Sequence, residues 1–546
     1  MPPTLIRVWL AVVFLASGTI YGWSRPTTLV PLACAAAPAA LALMLRGPVR
    51  VAGVAALAFV LGAGNAALRA HDRGPLEVMA HDVPRCTVTG RVLEEAGGLG
   101  TLVAIRRLLC PGRREVSDAG SVFFDGAVGH AGSGIRAQGW LLPLTDDGFG
   151  RARRNLGADA SFHSVELDVL TPPGGAFAVA ASIRQGLHTA TAALQARRAA
   201  LLHGLTIGET SGLDPATVET FRRAGLSHLL AVSGTNVAIV LGTVALVARR
   251  LPLAPRIALG AICLGLFVVT VGPDPSVLRA AVMGAIGLAA IAWGRRAEPL
   301  HALGLAILLL LGLRPGLVFS AGLHLSAAAT AGIVLWSAPL AARLSWLPRV
   351  AAVPLAATLA AQAAVMPVLL ATFGEVSLIA PAANLLAVPV VAPATVGGLV
   401  AACSAIIHGG FGGALARPLE PLAGWVLWVA DTGAAVPWAA VSVPRPFGLV
   451  AAVPVLLQAA RTLMTWGIEA RRAALAMSRV PNMPDYHWVL HDVSGKDLGP
   501  TESCPSRGEA EAFMGREWAA LLEEGAHSAT LVGDGKKLYT MGLTAE

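Results

Sequence analysis

The chain has 546 residues, of which 55% are apolar and only 14% are charged, and its mean hydropathy is +0.65. Soluble domains carry about 25% charged residues, so a chain this long and this poor in charge cannot cover a water-facing surface. The composition therefore excludes a purely soluble enzyme and a disordered protein. It predicts an integral membrane protein with soluble appendages.

Residues 1–70 contain three apolar segments, and a membrane-spanning helix needs about 20 apolar residues. These segments are 4–23, 28–45 and 50–68. The first segment could instead be a signal peptide, because it ends in small residues. An uncleaved helix is favoured for two reasons. Arg7 is the only charge before the apolar residues, and further apolar segments follow at once.

The character of the sequence changes over residues 71–175, where alternation replaces continuous hydrophobicity. Five short strands are predicted, at Thr87–Leu93, Leu102–Leu109, Ser121–Val128, Ile135–Leu142 and Ser164–Leu170. They suit a small barrel or a sandwich, with an OB-like barrel as one option. Such domains bind single-stranded nucleic acid through basic and stacking side chains. The candidates here are Trp140 and the turn residues Arg151, Arg153 and Arg154. A purely structural barrel is the alternative.

Two cysteines, Cys86 and Cys110, lie in this strand-like region. We expect a disulfide between them if the region faces an oxidising compartment. Two unpaired cysteines are the alternative.

Residues 176–225 have helical spacing and scattered arginines, which is typical of amphipathic helices on a membrane surface. A second hydrophobic block follows over residues 226–470. It divides into predicted spans at 226–248, 257–272, 276–293, 299–313, 316–337, 351–371, 376–406, 419–441 and 446–467. The stretch 376–406 is too long for a straight span and contains three prolines, so a tilted, broken or re-entrant helix is expected. The fold class is thus a polytopic α-helical membrane protein with about 12 membrane helices.

The arginines favour one orientation of these helices. With the N-terminus in the cytoplasm, nearly every arginine cluster between spans falls on the cytoplasmic side. Arg314 and Arg445 are the exceptions. The strand region is then external and both termini are cytoplasmic.

The C-terminal part is different again. Residues 471–484 are predicted as a basic linker, and residues 485–546 as a small acidic α+β module. The module contains strands near Tyr486–His491, Thr530–Val532 and Lys537–Met541, and a helix that Ser506 opens.

Leu205–Val240 is the most informative stretch, because polar residues enter a membrane helix there. Buried polar groups in hydrocarbon need a partner or a hydrated cavity. They therefore indicate either ordinary contacts between helices or the lining of a passage.

This stretch resembles the signature of the ComEC/Rec2 competence family, whose members are inner-membrane DNA-translocation proteins. The match covers Gly208, Glu209, Ser211, Gly212, Leu213, Phe221, Arg222, Gly225, Leu226, Ser227, His228, Leu229, Leu230, Ser233 and Gly234. The chain departs from the pattern at Thr235 and Asn236, where the family commonly has Leu-His. Asparagine does not titrate, so the resemblance carries no proton-linked role to that position. Further segments that are similar to the family are Ser276–Ala281, Phe319–Ser326, Gln362–Leu370 and Phe373–Pro389.

The resemblance implies a channel in the bacterial inner membrane that translocates single-stranded DNA into the cytoplasm during natural transformation. The candidate passage residues are His228, Ser233, Asn236, Arg279, His324, Ser326 and Asn384. Besides single-stranded DNA and membrane lipid, the candidate partners are a DNA receptor, a cytoplasmic ATPase or DNA-binding protein, and a second copy of the chain. A transporter of a small molecule or envelope component, or a degenerate paralogue, is the alternative.

We expect no enzymatic activity and no cofactor or metal. The sequence has no phosphate-binding loop and no H-x-H-x-D-H cluster of the kind that the family's metallo-β-lactamase-like nuclease domain requires. A hydrolase that uses Ser233 and His228 is disfavoured, because five residues along a helix do not bring two side chains to one face.

Overall fold

The computed structural model describes residues 3–24, 48–71, 75–80, 85–95, 100–126, 128–145, 147–230, 232–443, 486–504, 506–533 and 536–543. The predicted spans 28–45 and 446–467 and the predicted linker 471–484 lie outside the described residues. The chain divides into a main unit, Pro2–Thr462, and a tail unit that begins at Leu463.

The main unit begins with two apolar helices, α1 (Pro3–Ser24) and α2 (Pro48–His71), and a short helix, α3 (Pro75–Ala80). Val12 and Leu15 of α1 and Ala58 of α2 are buried in one apolar cluster together with residues of a later helix, Pro299–Leu313. The N-terminal helices therefore pack on the second hydrophobic block.

Five strands then close into a barrel. They are β1 (Arg85–Glu95), β2 (Thr101–Leu109), β3 (Val116–Phe124), β4 (Gly134–Leu142) and β5 (Ala160–Thr171). Around the barrel the order is β1-β2-β3-β5-β4, and all pairs are antiparallel except β3 with β5. Alternate side chains point inward, and the barrel core includes the fully buried Val88, Phe124, Ile135 and Phe162.

A helix, α4 (Gly148–Asn155), lies between β4 and β5 where the sequence predicts a turn. Asp147 begins this helix, because its side chain accepts a hydrogen bond from the Gly150 N–H at 2.8 Å. The prediction of a turn for the three arginines was therefore wrong. The reason is that a Gly- and Asp-rich sequence is equally typical of a turn and of the start of a helix. Arg151, Arg153 and Arg154 lie on α4.

Cys86 and Cys110 form a disulfide that joins β1 to the end of β2 across 24 residues of sequence. In the chain-entropy model, closing a loop of this length contributes about 3 kcal/mol to the free energy of unfolding. We therefore expect the double variant Cys86→Ser/Cys110→Ser to unfold at a lower temperature, and reductant to lower the wild-type transition equally. Cys403→Ser is the matched control, because Cys403 is a free cysteine. Equal melting temperatures for the double variant and the wild type would contradict the expectation.

Four helices follow the barrel: α5 (Ala176–Thr191), α6 (Ala196–Ile207), α7 (Pro215–Arg223) and α8 (Ser227–Leu230). Their apolar residues are deeply buried against the later helices rather than presented on one outer face. Leu201 and Leu205 of α6 and Phe221 of α7 share a cluster with Val391 and Val426. These helices therefore form part of the packed helical core.

Nine longer or apolar helices complete the described main unit. They are α9 (Gly234–Val247), α10 (Leu253–Val271), α11 (Pro275–Ala292), α12 (Pro299–Leu313), α13 (Ala321–Arg343), α14 (Arg349–Thr372), α15 (Ala380–Ile407), α16 (Gly409–Ala416) and α17 (Glu420–Ala434). The short strands β6 (Glu375–Ser377) and β7 (Ala440–Ser442) pair antiparallel and join the chain after α14 to the chain after α17. Five of the described helices, α10, α11, α13, α14 and α15, are long and apolar enough to cross a membrane. With the separate barrel, they fit a polytopic membrane protein.

Helix α15 is continuous over 28 residues, so the alternative of a broken helix for 376–406 was wrong. Pro381 lies in the first turn, where its missing N–H removes no helical bond, and Pro389 and Pro393 lie inside. A helix of this length spans about 42 Å, which exceeds a hydrocarbon core of about 30 Å and requires tilt.

The tail unit is an α+β module. Its sheet has the order β11-β10-β8-β9. The strands are β8 (Tyr486–His491), β9 (Asp497–Pro500), β10 (Ser528–Gly533) and β11 (Lys536–Gly542), and its helix is α18 (Arg507–Glu523). Trp488 anchors the helix on the sheet, since its buried indole donates to the Ala510 carbonyl at 2.8 Å.

Candidate functional site

The predicted span 226–248 is interrupted before α9, and this break positions the polar residues. Ser233 follows this break and is the N-cap residue of α9. Its hydroxyl accepts a hydrogen bond from the Thr235 N–H at 3.3 Å. A small cavity of about 40 Å³ lies beside the cap. It is lined by His228, Leu229, Ser233, Thr235, Asn236, Val388 and Val391. Three of the seven predicted passage residues therefore meet at one place.

Asn236 connects this cavity to α6. It is 3% exposed, and its amide donates to the Leu205 carbonyl at 3.0 Å. Thr395 of α15 donates to the same carbonyl at 3.1 Å. The carbonyl lies at the end of α6, where helical partners are lacking, so the two side chains join three helices.

Arg279 lies directly behind the α9 cap. It is 4% exposed, although it lies in α11, a helix long and apolar enough to cross a membrane. A Cβ built on Gly234 would lie 2.7 Å from Nη2 of Arg279. The guanidinium can therefore pack against α9 because residue 234 has no side chain. Its Nε donates to the Ser326 hydroxyl of α13 at 2.8 Å, and its Nη1 lies 3.0 Å from the Met283 sulfur. Among the described residues no carboxylate pairs with Arg279.

Asn384 and His324 differ in their relation to this group. Asn384 is buried on α15, one turn before the cavity residue Val388, and therefore on the same face. Its amide donates to the Ala380 carbonyl at 2.8 Å, while its Oδ1 has no hydrogen-bond partner among the described residues. His324 is exposed on α13, and residues two apart do not share a helix face. The structure therefore does not bring His324 to the same place as Ser326.

The size of the cavity limits what this arrangement admits as it stands. About 40 Å³ accommodates a few water molecules, whereas pockets for small ligands begin near roughly 300 Å³. A nucleotide therefore does not fit unless the surrounding helices separate.

Comparison with known proteins places this site within a family domain. Residues 205–467 match the family model described as Competence protein. Over 191 residues the chain is 31% identical to ComE operon protein 3 of Bacillus subtilis (strain 168), which covers 35% of this chain and 24% of that protein. These two matches support a place for residues 205–467 in the ComEC/Rec2 competence family. The predicted family resemblance is thereby confirmed. The aligned part spans about a quarter of the relative, and no solved structure matches the chain.

Several signature residues of the competence domain have structural roles. Gly225 ends α7 in a Schellman motif: its N–H donates to the Arg222 carbonyl at 3.1 Å, and the Leu226 N–H donates to the Phe221 carbonyl at 2.8 Å. Phe221 and Leu226 are both fully buried in the core. These signature residues therefore reflect how this segment folds and packs, and they do not by themselves mark a functional site.

The barrel residues proposed for nucleic-acid binding are not brought together as one basic surface. Trp140 is 39% exposed and its ring stacks on His163 with centroids 6.2 Å apart. Arg153 pairs with Asp125 at 2.7 Å, and Arg154 donates to the Leu144 carbonyl at 2.8 Å. Both guanidinium groups thus hold parts of the barrel together, while Arg151 is exposed on α4.

Sequence reasoning missed the contact between barrel and competence domain. Glu94 of β1 is 7% exposed in its side chain and lies 3.3 Å from the guanidinium of Arg314, at the end of α12. Burial raises the pKa of Glu94 to about 7, with Arg314 opposing the rise and Asp274 adding to it. The only feature of the sequence that pointed to this contact was Arg314 itself, which is one of the two arginines that do not fall on the predicted cytoplasmic side.

This pair predicts a pH dependence. The pKa of Glu94 is higher in the folded chain than in the unfolded chain, so the folded state binds the proton more tightly. The contribution of Glu94 to the free energy of unfolding is therefore present at acid pH and lost as pH rises through about 7. We expect the melting temperature of the wild type to fall from pH 5 to pH 8 more steeply than that of Glu94→Gln. Glu166→Gln, an exposed barrel carboxylate, is the control. Parallel pH profiles for Glu94→Gln and the wild type would refute the assignment.

Proposed function

We propose that this protein is a multi-pass channel of the bacterial inner membrane that passes single-stranded DNA into the cytoplasm in natural transformation. The match of residues 205–467 to the competence family model and the similarity to ComE operon protein 3 support a role in DNA uptake. The single observation that carries the transport assignment is Arg279, a buried arginine on a spanning helix whose described partners are neutral.

A charged side chain in a membrane span is costly and is typically paired or faces a water-filled cavity. The Ser326 hydroxyl and the weakly accepting Met283 sulfur satisfy two of the five N–H groups of the Arg279 guanidinium. The remaining donors suit an oxyanion, because guanidinium groups bind phosphate with two parallel hydrogen bonds. A phosphodiester that passes the α9 cap would supply the missing negative charge.

The small cavity would then be the closed form of the passage. Val388 and Val391 form its α15 side, and Pro389 lies between them. Proline removes a helical hydrogen bond and weakens the helix locally. We propose that α15 bends or moves here when the strand enters, which widens the cavity between α9 and α15.

The barrel belongs to the same proposal as an external OB-like domain, in which Trp140 and His163 offer a stacking surface for a base. Its contact with Arg314 gives a reason for an arginine on the outer side of the membrane, and so supports cytoplasmic termini. The channel has no catalytic role of its own in this proposal, and strand delivery and driving force come from partner proteins such as a DNA receptor and a cytoplasmic ATPase.

Uptake of labelled DNA tests the function directly. Cells that carry the gene, and an isogenic deletion strain, are given fluorescent DNA and are afterwards treated with an external nuclease. We expect nuclease-protected cytoplasmic label only in cells with the gene. Equal protected label in the deletion strain, with a changed content of a small molecule or envelope component, would instead establish the alternative transporter.

A further inference from the structure

A second cluster of polar side chains lies outside the cavity described above. It consists of His188 on α5, His203 on α6 and Glu209 in the turn that follows α6. One ring nitrogen from each histidine and one carboxylate oxygen all lie within 4.8 Å of one another. The two imidazole rings meet edge to face, with centroids 4.2 Å apart. Neither the passage nor the packing of the helical core uses these three groups.

Hydrogen bonds prepare Glu209 as an anion. His188 Nε2 lies 3.0 Å from its Oε2, and the Ser211 hydroxyl donates to its Oε1 at 3.1 Å. Burial raises the pKa of Glu209, but the hydrogen bonds and the two neighbouring histidines together outweigh burial and hold this pKa below its ordinary value. The carboxylate is therefore charged at neutral pH.

A different contact prepares His203. The Thr191 hydroxyl donates its one proton to the Leu187 carbonyl at 2.8 Å, so it accepts from His203 Nε2, which lies 2.7 Å away. The proton then stays on Nε2, and Nδ1 keeps a free lone pair. Burial and the neighbouring His188 lower the pKa of His203 to about 4. A neutral imidazole whose other nitrogen is held by a hydrogen bond is the usual form of a metal-binding histidine.

We propose that His188, His203 and Glu209 bind one divalent transition-metal ion, with Zn²⁺ as the best fit. Two imidazoles and one carboxylate are a donor set that zinc accepts, whereas Mg²⁺ and Ca²⁺ prefer oxygen ligands alone. Tetrahedral zinc, with bonds of about 2.0–2.1 Å, places its ligand atoms roughly 3.4 Å apart. His188 Nε2 and Glu209 Oε2, at 3.0 Å, already have about this spacing, and atoms as far apart as 4.8 Å would have to close by about 1.4 Å.

The surroundings allow the ion to enter and leave room for a fourth ligand. The side chains of His188 and Glu209 are 41% and 30% exposed. Water or another small ligand completes the coordination, because the described cluster offers three protein ligands. The ion would fasten α5 and α6 to the turn that begins the competence signature.

Metal content of the full-length protein tests this proposal. The chain is purified in detergent, stripped with a chelator, loaded with Zn²⁺ and desalted. We expect one Zn²⁺ per chain in the wild type and a loss of affinity of about tenfold or more in His203→Gln and Glu209→Gln. His301→Gln is the matched control, because His301 pairs with Glu298 and belongs to no cluster of three among the described residues. It should keep one Zn²⁺ per chain.

Cobalt loading of the wild type keeps the test independent of whether the variants fold. Co²⁺ in the site should give visible absorption bands that Zn²⁺ abolishes stoichiometrically. No retained Zn²⁺ and no cobalt bands in the wild type would overturn the proposal. Equal Zn²⁺ in the wild type, His203→Gln and Glu209→Gln would also overturn it, since the histidines elsewhere in the chain would then hold the ion.

Discussion

Arg279→Ala is expected to reduce DNA uptake by roughly 10- to 150-fold while the protein stays in the membrane. The substitution removes a charge-assisted hydrogen bond to the passing phosphate, which is worth about 1.5–3 kcal/mol, and each 1.4 kcal/mol corresponds to a factor of about ten. Transformation frequency and protected label are measured in a deletion strain that expresses each variant, with membrane protein quantified by immunoblot.

Two further variants separate charge from geometry at this position. Arg279→Lys keeps the charge but not the planar fork that reaches both Ser326 and a phosphate, so uptake should be intermediate. Arg249→Ala removes an exposed arginine after α9 and should leave uptake unchanged. Wild-type uptake in Arg279→Ala, at normal protein level, would show that this guanidinium does not serve the passage.

Gly225→Ala is expected to destabilise the competence domain by about 2–5 kcal/mol. Gly225 has φ +72°, and a Cβ there would lie 2.4 Å from the Ala380 Cβ and 2.9 Å from the Ser377 Cβ. The left-handed conformation costs a side chain about 1–2 kcal/mol, and overpacking adds roughly 1–3 kcal/mol. The measurement is the melting temperature and the monodisperse yield of the detergent-solubilised protein.

Gly294→Ala is the matched control for that prediction. Gly294 has φ +65°, but a Cβ there would meet no atom within 4 Å. This variant therefore carries the backbone strain without the clash and should lose far less stability. Equal losses in the two variants would mean that the contact of the α7 end with α15 does not matter.

The sequence predicts the apolar helices well where a loop with Gly, Pro or Arg separates them, because hydropathy and loop composition are local properties. The predicted segment 299–313 and α12 (Pro299–Leu313) have the same bounds. The strands from Ile135 and Leu102 were also placed within a residue or two. The helix α4 was missed because an N-cap and a turn use the same residues, Asp and Gly.

The site was predictable only in part. Polar residues in apolar stretches indicated His228, Ser233 and Asn236, and they share one cavity. Sequence could not show that Arg279 lies against Gly234, since that contact depends on how α9 and α11 cross. The cluster of His188, His203 and Glu209 was also hidden, because its members come from three elements and no short motif joins them. The one available signal was Glu209 in the family pattern.

Photocrosslinking of a strand in transit tests the central claim most directly. A photoreactive residue is placed at Ser233 or at Asn384, and for comparison at Ile262, which is 66% exposed on the apolar helix α10. Labelled single-stranded DNA is added to the cells and the protein is irradiated during uptake. The account predicts covalent capture of the strand at positions 233 and 384 and none at 262. Uptake that continues without capture at positions 233 and 384 would contradict it.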